Sequence, residues 1–201
     1  LCLRDWNRRP FVDRVEGQVR TLSKRDEGLA KRLIEENLSK LFKMSDGAVL
    51  AELIRLCERL QIKLGTEPLL VIAMSDSQEL EARLQAVKSI ESKGEESIVR
   101  SLLDLTKNKQ SQIQVTAIHK LAEVAPGQFA KKLSEGWNKL SEPAQQAFIS
   151  LLGEDMSDSG HEVLIKAFDS LLDGKLAKVL ELDVLTAAKV RESGRLMQFL
   201  K

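Results

Sequence analysis

LEARLQAVKSI (80–90), IQVTAIHKLAEV (113–124) and AQQAFISLLG (144–153) say nearly the same thing three times. Each is an amphipathic run centred on an alanine and a bulky apolar neighbour: Ala86-Val87, Ala117-Ile118 and Ala147-Phe148. Successive centres lie 31 and 30 residues apart. A shorter apolar run and a polar turn precede each one, so the unit between Pro68 and Gly153 is a helix pair. One pair cannot bury both of its stripes alone, and repeats of this length stack to bury them. The pattern predicts an all-α fold, an irregular α-solenoid of stacked antiparallel helix pairs.

The flanks extend the same pattern. Before the repeats, residues 1–66 read as irregular helices. Phe11, Val15, Val19 and Leu22 recur at helical spacing after Pro10. Leu29, Leu33, Ile34, Leu38, Leu41 and Phe42 form a second stripe, with Asp26 as its N-cap. Val49, Leu50, Leu53, Ile54, Cys57 and Leu60 form a third, expected to run from an Asp46 cap through Leu64 and to end at Gly65. Thr66-Glu67-Pro68 and Ser141-Glu142-Pro143 each offer a hydroxyl cap, an early carboxylate and a first-turn proline. In the third repeat the first helix is expected over Phe129, Leu133, Trp137 and Leu140, and Gly153 is expected to end the second. Residues 154–201 add a helix ending at Gly174 and a last one from Leu176 to Arg191. The whole, 1–201, reads as one helical-repeat domain with 67–153 at its centre. The chain opens at Leu1 without a methionine and reads as an excised segment.

Composition narrows the function classes. The 31 basic and 30 acidic side chains nearly cancel, so no global field draws the chain to nucleic acid or anionic lipid. The longest apolar run, Leu69 to Met74, is far short of the ~20 residues that span a bilayer. Cys2 and Cys57 cannot build a disulfide framework, and Cys57 falls on an apolar stripe. His119 and His161 have no Cys or third His at metal-ligand spacing. No Cys-x-x-Cys-His, phosphate-binding glycine loop or Gly-x-Ser-x-Gly elbow occurs. The adjacent acidic pairs Glu35-Glu36, Glu95-Glu96 and Glu154-Asp155 point in different helical directions and read as solvated faces. The segment is therefore expected to be non-catalytic and to hold no cofactor or metal. Its function is expected to be that of a scaffold contacting protein. The inner row of second helices would carry recognition, through Arg83, Gln114, His119 and Gln145. The alternative is a nucleic-acid-binding repeat protein using the basic N-terminal stretch Arg4 to Arg25 beside Trp6.

The helix-pair period and the Ala-aliphatic centres resemble HEAT-like repeats, an armadillo-type fold. That family places an Asp in the turn within a repeat and an Arg early in the second helix, and Asp76 and Arg83 match it. Asn108 with Gln114, and Ser141 with Gln145, stand at the same places in the next two repeats and depart from the pattern. Residues 151–191 are similar to something narrower. Leu171-Leu172-Asp173-Gly174-Lys175 followed by Leu182-Asp183-Val184-Leu185-Thr186-Ala187-Ala188 resembles the helical region of planctomycete-type multidomain proteins, described as membrane-bound dehydrogenase-like and haem-binding. That resemblance implies a parent with a sugar-dehydrogenase-like propeller, HEAT-like repeats and a c-type cytochrome. It also implies a periplasmic or exported address.

Overall fold

A computed structural model describes residues 26–92 and 94–191. The readings of Trp6, Pro10, the Arg4–Arg25 stretch and the Phe11–Leu22 stripe lie outside the described residues. Among the described residues there is no strand, and ten α-helices carry the fold. They are α1 (Glu27–Met44), α2 (Gly47–Arg59), α3 (Thr66–Met74), α4 (Leu80–Lys88), α5 (Glu96–Leu105), α6 (Ser111–Val124), α7 (Phe129–Leu133), α8 (Glu142–Glu154), α9 (Asp158–Leu172) and α10 (Lys178–Arg191). The three echoing stretches are α4, α6 and α8. The chain is all-α, as the periodicity predicts.

Helices of even number pack side by side in one row: α2 on α4, α4 on α6, α6 on α8 and α8 on α10. Odd-numbered helices back the row, with α3 against α4, α5 against α6, and α9 against both α8 and α10. The alanines explain the row. Ala82, Ala86, Ala117, Ala144 and Ala188 have no exposed surface, so neighbouring backbones approach closely and their larger partners interdigitate. One continuous core runs from Leu50 through Ile54, Leu69, Val87, Leu102, Ile118, Phe148 and Leu164 to Val184. Phe148 fills its centre, edge-on to Phe129 with centroids 6.0 Å apart and tilted to Trp137 at 6.2 Å. A satellite core of Ile34, Leu53, Leu56, Cys57, Leu60 and Ile62 lies under α1.

Caps and breaks depart from the sequence reading in instructive ways. Asp26 caps α1 as expected, accepting from the Gly28 amide at 2.8 Å. Asp46 occupies the N-cap of α2 with no side-chain capping bond. That helix stops at Arg59, short of Leu64, because Gln61 takes a positive φ of 53° and turns the chain; Gly65 then precedes α3. Neither expected hydroxyl cap is made. Thr66 is already helical and its Oγ1 donates to the Glu91 carbonyl at 3.2 Å. Ser141 stands at the N-cap of α8, yet its hydroxyl reaches Gln114 instead. The single helix expected over Phe129–Leu140 is broken: α7 ends at Leu133, and a 3-10 turn over Trp137–Lys139 follows Gly136. Gly136 and the weak helix formers around it account for the break. Gly153 does not end its helix. It lies buried inside α8, where a Cβ would sit 2.9 Å from Ala187 Cα on α10. The last helix starts at Lys178, two residues later than Leu176.

Candidate partner-binding face

The even-numbered row leaves one long side exposed, and polar residues at helical spacing cover it. The four residues singled out from the sequence all belong to α4, α6 and α8, but they do not act together. Arg83 is 3 % exposed. Its Nε donates to the Ala73 carbonyl at 3.0 Å and its guanidinium meets Asp76 at 2.9 Å, closing the turn between α3 and α4. Nη2 has no hydrogen-bond partner among the described residues. Gln114 does the corresponding work one repeat on. Its Nε2 donates to the Asn108 carbonyl at 2.7 Å, while its Oε1 accepts from the amide and hydroxyl of Ser141 at 2.9 and 2.6 Å. Gln145 donates to the carbonyls of Leu140 and Asn138 at 2.9 and 3.1 Å.

The residues that depart from the Asp/Arg pattern thus form bonds of their own. A glutamine amide both donates and accepts, so Gln114 can satisfy a carbonyl of its own turn and an amide of the next. Arg191 extends the series. It donates to the carbonyls of Leu152, Asp155 and Ser157, the last at 2.6 Å, and so ties α10 to the end of α8. Composition gave no hint of Arg191, because its acceptors are backbone atoms.

His119 differs from the other three. It is exposed on α6 and lines an open groove with Lys88, Thr116, Lys120 and Glu123. Lys88 and Glu123 are exposed as well, whereas Lys120 is only 8 % exposed. Lys120 follows the alanine-centred stripe of α6, between Ala117 and Leu121, and that position draws its stem into the core while its ammonium meets Glu123 Oε2 at 2.8 Å. Its place in the apolar stripe is the signal that marks it in the sequence.

At the α2–α4 end of the same face a polar network closes on itself. Arg55 bonds Glu52 at 2.7 Å, Glu81, and Gln85 Oε1 at 3.2 Å. Gln85 and Ser89 both donate to Glu58. The Glu52 hydrogen bond, reinforced by Glu81 and opposed by partial burial, raises the guanidinium's already high pKa. At the other end, Gln146 donates to Asp183 at 3.1 Å across α8 and α10. Charge on this face is mixed, with Arg55 paired to Glu52 and Glu81 and Lys120 to Glu123, which gives no extended basic stripe for a phosphate backbone. Among the described residues no cluster of His, Cys, Asp and Glu is placed to hold a metal. Likewise no described helix is long and apolar enough to cross a membrane. No family model, no curated protein and no solved structure matches this chain.

Proposed function

We propose that the chain is a non-catalytic, HEAT-like α-solenoid scaffold that engages a protein partner along the exposed side of its even-numbered helices. The observation that carries this reading is the unbroken packing of α2, α4, α6, α8 and α10 against one another over a single core. Such a row presents side chains in a fixed order over a long surface, which suits recognition of an extended partner. Arg83, Gln114 and Gln145 contribute by holding the turns, and His119 by facing the groove. The setting within a redox protein, between a dehydrogenase-like domain and a cytochrome, is a proposal resting on the 151–191 resemblance alone.

Hydrogen exchange on the chain, with and without a bound protein partner, tests the reading. Added protection is expected on the exposed sides of α4 and α6. Protection confined to α3, α5 and α9 would reject the assigned face. Stoichiometric haem or catalytic turnover in the isolated segment would reject the scaffold role itself.

A further inference from the structure

Resting on that reading, we infer that the groove between α4 and α6 receives an acidic peptide segment, its carboxylates held by Lys88, His119 and Lys120. Charge complementarity selects this occupant. The groove is lined by Lys88, Thr116, His119, Lys120 and Glu123; its apolar surface comes from lysine stems, the Thr116 methyl and the imidazole ring, and its polar ends set two ammonium groups and an imidazole against one carboxylate. Lys88 and His119 have no ion-pair or side-chain hydrogen-bond partner among the described residues. Lys120 has three donors and one acceptor, Glu123. Its ammonium is held at the groove floor by a stem that the core fixes, so little side-chain freedom is lost when a second carboxylate arrives.

Glu123 shows the geometry that a ligand carboxylate would adopt. Its side chain is 68 % exposed, yet it reaches back to place Oε2 2.8 Å from Lys120 Nζ. It acts as an internal stand-in that a peptide carboxylate would join or displace. The neighbouring acids do not compete, because Glu52 and Glu81 are engaged by Arg55 and Glu58 by Gln85 and Ser89.

Fluorescence anisotropy of dye-labelled hexaglutamate, hexalysine, a neutral hexapeptide and a short single-stranded oligonucleotide tests the inference, with amide NMR shifts locating the contact. Hexaglutamate is expected to bind and to move the amides around Lys88 and Thr116–Glu123. Lys88→Glu and His119→Glu, both at exposed positions, should each weaken it about tenfold. Glu123→Gln should tighten it several-fold by freeing Lys120. Unchanged affinity in both charge reversals, or weaker binding to Glu123→Gln, overturns the inference. If hexalysine or the neutral peptide moves these amides and hexaglutamate does not, the acidic partner is wrong and the partner-binding face stands. An oligonucleotide that binds this groove more tightly than hexaglutamate overturns the peptide and favours nucleic acid.

Discussion

The α1–α2 end and the α4–α8 middle are built from similar residues but held in different ways. Of the eighteen residues of α1 only Ala30 and Ile34 are buried, and its core is the satellite under Cys57 and Leu60. The fourteen residues of α6 bury seven, and Gln114 ties that helix by hydrogen bonds to the turn before it and to Ser141 at the N-cap of α8. Helix α2 faces both ways: Leu50, Ala51 and Ile54 enter the continuous core, while Leu53, Leu56 and Cys57 enter the satellite. In the middle each helix gains from both neighbours; at this end α1 rests on α2. Cooperativity should therefore be high from α4 to α8 and low at α1.

The comparison can be broken at its strongest point first. Phe148→Ala removes the ring that joins α7, the 3-10 turn and α8, and should cost about 3–5 kcal/mol in urea denaturation. Loss of protection should spread across α6, α8 and α10; a purely local effect would refute the continuous core. Ile34→Ala should cost about 2 kcal/mol at the satellite. Hydrogen exchange should then show α1 and α2 opening while α4–α8 keep their protection. Equal loss throughout would erase the distinction between the two regions.

Two smaller effects sharpen it. Gln114→Leu keeps the volume but leaves the Ser141 amide and the Asn108 carbonyl without partners, for about 1–2 kcal/mol. The cost should fall to about a few tenths of a kcal/mol if these bonds carry no weight. Cys57 gives the least change and a pH signature. Burial first, and Glu58 second, push its thiol from 9.0 up to about 11. The neutral thiol is the form the fold favours, so its contribution is complete below pH 9 and is lost as pH rises through about 11. Denaturation midpoints should fall more steeply over that window in the parent than in Cys57→Ala. Alkylation of Cys57 at pH 8 should be slow and should accelerate in Ile34→Ala. Matching slopes in parent and variant would show that the thiol ionises as freely folded as unfolded.

Helix number, helix type and most of the core were legible because they follow from apolar spacing alone. Ile34, Ile54, Val87, Ile118 and Leu121 are buried where their stripes place them, whereas Leu29, Leu33 and Val49, assigned to the same stripes, are exposed because α1 and the start of α2 have little packed against them. Beyond the Asp26 cap and the Asp76–Arg83 pair, the capping and polar interactions were not legible, because hydrogen bonds to backbone atoms leave no pattern in side-chain identity. Ser141 before Glu142-Pro143 has every local mark of an N-cap, yet a glutamine 27 residues earlier claims its hydroxyl. Likewise Gln114 and Gln145 look like losses from an Asp/Arg series, when an amide can bind carbonyls as well as a guanidinium can. At the candidate site the exposure of His119 was readable from its position. The groove was not, since it needs Lys88 from a different helix.

One of the smallest contacts in the fold also offers a way to recognise it elsewhere. Gly153 lies against Ala187, at a distance that leaves no room for a Cβ on the first and little for growth on the second. Leucine and alanine patterns are easily imitated by unrelated helices, whereas a steric requirement linking two distant positions is not. A homologue that keeps this crossing of α8 and α10 has to carry a glycine and, one helix pair later, a small residue. That linked pair is a sharper query for distant relatives than the apolar stripes around it.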